Sequence, residues 1–145
     1  MFSVRTFQPK DMFSVIKIAS ETLTERYNPT IFNYFYETFP EYFVVAESAH
    51  KIIGFIIGAE INSTKIKILM LSVSKNYRRK KVGNTLLNEF EKMILKKGIN
   101  DIELEVRTKN KTAIKFYQKN GYKIEDKMEN YYQNGENAYI MRKIF

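Results

Sequence analysis

The sequence predicts a single α/β domain, with a mixed, mostly antiparallel central sheet of about seven strands and helices on both of its faces. Its 145 residues suit one domain, and 44% of them are hydrophobic, which is enough to bury a core. Strand-like runs joined by short turns fill the middle of the chain, and such connections are typical of antiparallel neighbours. Strands and helices then alternate, which favours a sheet covered on both sides.

The first half of the chain predicts a strand, two helices and a three-stranded meander. Asp11 is a suitable N-cap for the first helix, whose buried face would carry Phe13, Ile16 and Ala19. Pro29 separates this helix from a second, aromatic-rich one. The predicted bounds are residues 2–7 for the strand, 12–23 and 30–38 for the helices, and 42–47, 52–61 and 66–73 for the meander.

The second half predicts two helices and three more strands. A long amphipathic helix spans residues 83–97 and is followed by Gly98, which suits the position after a helix end. Its apolar stripe consists of Leu86, Leu87, Phe90, Met93 and Ile94. The remaining elements are a strand at 102–106, a helix at 111–119 and strands at 122–124 and 138–143. No repeat, low-complexity tract or linker divides the chain, so residues 1–145 are predicted to form one domain.

Residue composition removes several kinds of chemistry. The chain has no cysteine, which excludes disulfides, thiolate nucleophiles and Cys-based zinc sites, and we expect no metal. The single histidine, His50, falls in a predicted turn and receives no role, so acid–base chemistry must use Glu, Asp, Tyr or Lys. No apolar run is long enough to span a bilayer and the amino terminus lacks a signal-peptide pattern, so we expect a cytoplasmic protein with no membrane partner.

The stretch LSVSKNYRRKKVGNTLL, residues 71–87, concentrates positive charge at one joint of the predicted fold. It holds five basic residues within positions 75–81 of a chain whose net charge is +8. It lies between a strand end and a helix start, where unpaired N–H groups and the helix dipole favour an anion. Arg and Lys would add charge-assisted hydrogen bonds, and Gly83 would let a ligand approach the backbone. A pyrophosphate cradle is therefore predicted, with a solvated charge run and a nucleic-acid patch as alternatives.

Three segments carry a resemblance to a known family. Arg78-Arg79-Lys80-Lys81-Val82-Gly83 resembles the acetyl-CoA loop Arg/Gln-x-x-Gly-x-Gly/Ala of the GNAT acetyltransferase superfamily, with Lys81 in place of the first glycine. Leu104-Glu105-Val106-Arg107-x-x-Asn110-x-x-Ala113-x-x-x-Tyr117-x-x-x-Gly121-Tyr122 is similar to the matching block of its amino-terminal acetyltransferases. The segment from Asn130-Tyr131-Tyr132 through Gly135-Glu136-Asn137-Ala138-Tyr139-Ile140-Met141 resembles the same group, which usually has Asp where this chain has Asn137.

The resemblance implies a reaction and a set of residue roles. The reaction transfers acetyl from acetyl-CoA to the N-terminal α-amine of a protein or peptide, with Glu105 as base, Tyr117 as acid and Glu25 as a reserve base. The implied acetyl-CoA contacts are Leu71, Ser72, Val73, Arg78, Arg79, Lys80, Lys81, Val82, Gly83, Asn84, Asn110 and Tyr117. The implied acceptor contacts are Glu25, Tyr27, Tyr131 and Tyr132. Association with the ribosome or with an auxiliary subunit stays open, and nucleic acid is not an expected partner.

The residues themselves leave other interpretations open. Glu105 alternates with apolar neighbours on a predicted strand, so without the resemblance it is a base, a partner of Arg107 or an exposed strand end. Tyr117 lies beside the apolar stripe of its helix and could be a core residue, and Asn110 could simply cap that helix. The pair Tyr131-Tyr132 could be ordinary packing.

Three functions compete with N-terminal acetylation. The first is a GNAT enzyme for a small amine or a lysine side chain, although a free α-amine, with a pKa of about 7.7–8.0 against about 10.4 for lysine, is easier to deprotonate. The second is a basic nucleic-acid-binding domain. The third is a family member that binds CoA but has lost turnover, because Lys81 and Asn137 depart from the family pattern.

Overall fold

A computed structural model describes residues 1–23 and 27–145. Within this part of the chain, the strands are β1 (Ser3–Thr6), β2 (Phe43–Ser48), β3 (Lys51–Asn62), β4 (Lys65–Val73), β5 (Asp101–Arg107), β6 (Lys123–Met128) and β7 (Ala138–Ile144). The helices are α1 (Met12–Thr22), α2 (Thr30–Thr38), α3 (Val82–Lys96) and α4 (Lys111–Lys119). Short 3-10 helices lie at Pro9–Asp11, Pro40–Tyr42 and Lys75–Tyr77.

The strands form one sheet in the hydrogen-bonded order β1-β2-β3-β4-β5-β7-β6. The pairs β1/β2, β2/β3, β5/β7 and β6/β7 are antiparallel. In the β5/β7 pair, Glu105 lies opposite Ile140, so the register of this strand is fixed from Asp101 to Arg107. The predicted α/β class, with a mostly antiparallel sheet of about seven strands and helices, is confirmed.

The described residues pack into two compact units, Met1–Ala59 with Ile68–Lys97, and Glu60–Lys67 with Gly98–Phe145. In the first unit, Phe43 and Phe55 of the sheet belong to one apolar cluster with Val15 of α1 and Phe32 of α2. The opposite sheet face meets α3, because a Cβ atom at Gly54 would lie 3.2 Å from Leu86 Cδ1. Side chains alternate between the faces of a strand, so helices cover both sheet faces in this unit.

In the second unit, β5 separates an apolar face from a polar one. Ile102, Leu104 and Val106 are buried, and the alternating residues Glu103 and Glu105 are half-buried. Helix α4 also contributes buried side chains, Ile114 and Tyr117, to this unit. The polar face of β5 therefore presents carboxylates that are partly open to solvent.

One prediction about the first helix is wrong. The pattern predicts Phe13 on the buried face of α1, but its side chain is 83% exposed, and the buried residues are Val15, Ile18 and the predicted Ala19. The run MFSVIKIA carries apolar residues on more than one side of the helix, and packing selects the side that contains Val15. Asp11 occupies the predicted N-cap position of α1, although its side chain makes no capping bond to that helix.

The Asp11 carboxylate is occupied by other donors. Both of its oxygens accept hydrogen bonds from the Arg5 guanidinium, at 2.7 and 2.9 Å, and Oδ2 also accepts from the Gln8 N–H at 2.9 Å. Burial opposes ionisation, but these hydrogen bonds outweigh it and hold the pKa of Asp11 below its usual range. Asp11 therefore fastens β1 to the turn before α1.

In the described part of the chain, no helix has the length and apolar character that a membrane span requires.

Candidate active site

The basic loop between β4 and α3 has the backbone form of an anion site. β4 ends at Val73, a 3-10 turn spans Lys75–Tyr77, and α3 begins at Val82. Within the loop, Arg79 and Lys81 both have positive φ, 63° and 64°. Left-handed residues interspersed with ordinary ones turn successive N–H groups toward one side, and such concavities bind anions. The first N–H groups of α3 add to this, since they have no acceptor within the helix.

Lys81 occupies the N-cap position of α3 in the left-handed conformation, with φ 64° and ψ 20°. This is a region that glycine enters without strain and other residues rarely adopt. This left-handed conformation explains why the resembled acetyl-CoA loop has a glycine at the position of Lys81. The exposed Lys81 side chain makes no capping bond, while its carbonyl oxygen accepts from the Thr85 N–H at 3.0 Å as α3 begins.

The cationic side chains of this loop are exposed, as a phosphate ligand requires. Arg78, Arg79, Lys80 and Lys81 all lie at the surface. The Lys80 ammonium lies 5.6 Å from the centre of the Tyr77 ring, which holds it near the loop. The backbone conformation of the loop, the dipole of α3 and the exposed cations therefore all suit a pyrophosphate. Gly83 lies in the first turn of α3.

The end of β4 contains a polar atom that the described residues leave without a partner. Ser72 is 5% exposed, and its Oγ makes no hydrogen bond to any residue in 1–23 or 27–145. Its neighbours Leu71 and Val73 are half-buried. Beyond them the Ser74 N–H donates to the Ile53 carbonyl at 2.8 Å, so the pairing with β3 continues to the edge of the loop.

Glu105 is the centre of a polar cluster in the second unit. Its Oε1 accepts a hydrogen bond of 2.5 Å from the Tyr131 hydroxyl and also pairs with the Lys67 ammonium. Its Oε2 is buried and has no partner among the residues that the structure describes. Glu105 therefore has one oxygen, Oε1, with two partners and a second oxygen, Oε2, with none among the described residues.

Arg107 organises the loop between β6 and β7. It donates to Glu136 Oε1 at 2.5 Å, and its guanidinium carbon lies 3.9 Å from the centre of the Tyr132 ring. Asn134 donates to the same Glu136 oxygen at 2.7 Å. The Asn134 hydrogen bond, opposed by burial and aided by the charges of Arg107 and Lys109, lowers the pKa of Glu136. Glu136 therefore stays ionised, and its bonds to Arg107 and Asn134 stabilise the loop between β6 and β7.

Asn137, where the resembled group has Asp, serves the same loop. Its Oδ1 accepts from the Asn130 N–H at 2.9 Å, and its carbonyl oxygen accepts from the Thr108 N–H at 3.0 Å. Both bonds use acceptor atoms that Asn and Asp share. Asn137 therefore makes two bonds that Asp could also accept, and the loop presents Tyr131 and Tyr132 with their rings edge to face, 5.0 Å apart.

Tyr117 is buried on α4. Its side chain is 8% exposed and packs edge to face against Phe116 and Tyr122, at 5.2 and 5.5 Å. Burial raises the pKa of Tyr117, so the phenol is protonated at neutral pH and is available as a donor. Asn110 caps the same helix, because its Oδ1 accepts from the Ala113 N–H at 3.1 Å.

The predicted acceptor contacts Tyr27 and Glu25 both stay predictions. Tyr27 is partly buried and packs edge to face against Phe32 at 6.4 Å, and burial raises its pKa. Its visible role is therefore packing beside α2, and contact with an acceptor stays a prediction. Glu25 lies outside the described residues.

Lys67 is the cluster member that the sequence interpretation missed. The signal was available, since Lys65 and Lys67 alternate along β4 as Glu103 and Glu105 alternate along β5. What the sequence alone lacked was the pairing of these two strands.

Comparisons with known proteins identify the family of the chain. The model of the acetyltransferase (GNAT) family matches residues 12–122. An N-alpha-acetyltransferase of Saccharolobus solfataricus is 32% identical over 158 residues, which cover 98% of this chain and 92% of the relative. A spermidine N(1)-acetyltransferase of Thermoplasma acidophilum is 42% identical over 84 residues, which cover 58% of this chain and 52% of the relative.

Solved structures extend the likeness over the whole chain. Ard1 from Thermoplasma volcanium superposes with a TM-score of 0.96 at 37% identity, covering 99% of this chain and 97% of the other. Arabidopsis thaliana Naa50 in complex with the bisubstrate analogue CoA-Ac-MVNAL superposes with a TM-score of 0.86 at 27% identity, covering 99% of both chains. Family model, sequence relatives and structural neighbours agree, and the chain belongs to the GNAT acetyltransferase family.

Proposed function

We propose that this protein transfers the acetyl group of acetyl-CoA to the N-terminal α-amine of proteins. The observation that carries the proposal is Glu105, whose Oε1 is held by Tyr131 and Lys67 while Oε2 is buried without a partner among the described residues. A carboxylate in that state can accept a proton from an amine, directly or through one water. The N-alpha-acetyltransferase relative and the Naa50 complex support the choice of acceptor.

Acetyl-CoA would be bound by the loop between β4 and α3. The positive-φ residues Arg79 and Lys81, the first turn of α3 and the exposed cations would receive the pyrophosphate. Contact of the Asn110 amide with the pantetheine arm is compatible with its cap, because the cap uses Oδ1 and leaves the two amide hydrogens.

The chemical step needs one base and one acid. Glu105 Oε2 takes a proton from the α-ammonium, and the freed nitrogen lone pair attacks the thioester carbonyl carbon. The C–S bond then breaks, sulfur leaves with the bonding pair and receives the Tyr117 hydroxyl proton, and the proton still on nitrogen passes to the Tyr117 oxygen. The products are the acetylated amine and free CoA thiol, with one proton left on Glu105 for release.

The raised pKa of Tyr117 sets a condition on this assignment. A buried phenol remains protonated, but its phenolate is costly to form. Proton donation to sulfur and proton recovery from nitrogen must therefore be closely coupled.

The proposal is tested by acetyl transfer to short peptides that differ only in their first two residues. Each peptide is paired with a copy whose α-amine is blocked and which retains an internal lysine. We expect transfer to free α-amines and none to the blocked copies. Equal transfer to the blocked copies would assign the activity to lysine side chains.

Glu105→Gln tests the base within the same assay. Gln has the same shape and keeps an acceptor for Tyr131, so we expect kcat to fall about 10²- to 10⁴-fold while acetyl-CoA still binds. Glu103→Gln, two residues away on the same strand face, is the matched control and should keep wild-type turnover. A Glu105→Gln protein with normal kcat would remove Glu105 from the mechanism.

A second candidate is acetylation of a polyamine, which the spermidine N(1)-acetyltransferase relative favours over part of the chain. Spermidine therefore belongs in the same assay as a separate acceptor. Transfer to spermidine with no transfer to any peptide would replace the protein acceptor with a small amine.

A further inference from the structure

Two ion pairs of the same kind lie side by side on the polar face of the second unit. Lys65 pairs with Glu103 at 3.0 Å, and Lys67 pairs with Glu105. The lysines have similar exposure, 25% and 27%. Each pair joins β4 to β5, so any general contribution of such a pair to strand association should be common to both.

The surroundings of the two carboxylates differ. Glu103 is 23% exposed, whereas Glu105 is 11% exposed. The Tyr131 hydroxyl donates to the same Glu105 oxygen that Lys67 contacts. The other Glu105 oxygen is buried and has no partner among the residues described. Lys67 and Tyr131 thus converge on one oxygen and leave the second one available.

We infer that Lys67 is a positioning residue: with Tyr131 it fixes Glu105 Oε1, so that Oε2 is the oxygen that takes the proton from the acceptor amine. This inference rests on the proposed function. The last torsion of a glutamate side chain is broad, so a carboxylate without fixed partners samples many orientations. Two donors on one oxygen restrict that torsion and place the free oxygen in one direction.

The pair also places a positive charge beside the buried carboxylate. A buried carboxylate oxygen without a hydrogen bond is unfavourable unless the group has a compensating charge nearby. The Lys67 ammonium supplies that charge from the occupied side. A neutral residue at position 67 would remove that charge and keep the hydrogen bond from the Tyr131 hydroxyl to Oε1.

The test compares Lys67→Met with Lys65→Met by steady-state kinetics on the best acceptor of the wild-type protein. We expect Lys67→Met to lower kcat about 10- to 100-fold, since a reacting group displaced by about 1 Å loses up to that much. KM for acetyl-CoA should change less than twofold. Lys65→Met should keep wild-type kcat, and Lys67→Arg should recover most of the lost turnover because it restores the cation.

A double mutant shows whether Lys67 acts through Glu105. In the Glu105→Gln background, Lys67→Met should cause no further loss of kcat, because the residue it positions is already inactive. Lys67→Gln serves the same comparison if Lys67→Met fails to fold, and thermal unfolding of each variant identifies that case. Additive losses in the double mutant would show that Lys67 acts independently of Glu105.

The outcomes separate this inference from the proposed function. Normal kcat in Lys67→Met, or an equal loss in Lys65→Met, would overturn the role of Lys67 while peptide acetylation stands. Wild-type transfer to spermidine alone would overturn the protein acceptor and leave the Lys67 comparison valid on the new acceptor. A wild-type protein that binds acetyl-CoA and acetylates no amine would overturn both.

Discussion

At the scale of single residues, Lys81 stands in a backbone conformation that its side chain does not favour. Its φ of 64° is a left-handed value at the N-cap of α3, which costs a non-glycine residue about 1–2 kcal/mol. Lys81→Gly removes that cost but gives the unfolded chain more freedom, so we expect a net gain of about 0.5–1 kcal/mol in the free energy of unfolding. Urea unfolding measures it.

The same variant reports on the ligand. Acetyl-CoA affinity, measured by calorimetry, should be retained because the backbone N–H groups of the loop remain. A stable Lys81→Gly protein that no longer binds acetyl-CoA would show that the Lys81 ammonium is itself a contact.

Asp11 provides a prediction about pH at the same scale. Its folded pKa is lowered, so its stabilising contribution is present above the unfolded value of about 3.9 and is lost as the pH falls through the folded value. Asp11→Asn should therefore lower the free energy of unfolding by about 2 kcal/mol at pH 7, because the charged hydrogen bonds from Arg5 are lost.

This difference between wild type and variant should shrink below about pH 4, as the wild-type carboxylate is protonated. Chemical denaturation at several pH values checks the trend. A constant difference from pH 7 to pH 3 would contradict the role of ionised Asp11.

At the scale of elements, the pattern of apolar residues and turn residues predicts most boundaries. Helices α2 and α4 have the predicted bounds, and α3 differs by one residue at each end. Strand β6 was predicted only to residue 124, yet it runs to Met128, because its exposed residues have no apolar alternation to reveal a strand. Pairing with β7 makes it a strand, and that pairing is not local information.

Helix α4 offers a test that separates capping from ligand contact. Asn110 uses Oδ1 to accept from the Ala113 N–H, a role that Ser also performs. Asn110→Ala should lower the free energy of unfolding by about 1 kcal/mol, whereas Asn110→Ser should retain stability. Both variants lose the amide hydrogens, so both should raise KM for acetyl-CoA if Asn110 contacts the pantetheine arm. An unchanged KM in the Ser variant would leave Asn110 as a cap alone.

At the scale of the whole molecule, the prediction of the site rests on resemblance to the family more than on physical patterns. The basic loop was visible from charge and position alone. The assignment of Glu105 needed the family pattern, because a lone glutamate on a strand has several explanations. Lys67 was not found, since its contact with Glu105 spans 38 residues of sequence, from 67 to 105, and depends on which strands are neighbours. Long-range strand pairing is the information that the sequence pattern carries least directly.

The net charge of +8 leads to a prediction about ionic strength. Acetyl-CoA is a polyanion, and the exposed cations Arg78, Arg79, Lys80 and Lys81 lie in the loop proposed to receive its phosphates. Raising the salt concentration from about 0.05 to about 0.5 M shortens the screening length, so KM for acetyl-CoA should rise several-fold. The change in kcat should be small, because the Lys67–Glu105 contact is short and partly buried and is therefore screened less.

Steady-state kinetics at four or five salt concentrations measures this dependence. An Arg79→Gln Lys80→Gln variant is the matched comparison, because it keeps the loop length and removes two charges. Its KM for acetyl-CoA should be higher at low salt and less sensitive to salt.

The nucleic-acid alternative is tested by calorimetry in the same buffers. At about 0.15 M salt, acetyl-CoA should saturate the protein in a calorimeter while duplex DNA should not, because one short basic loop releases few counterions. Saturable DNA binding with no acetyl-CoA binding would assign the loop to a nucleic acid, and a salt-independent KM would show that its charges do not contact the phosphates.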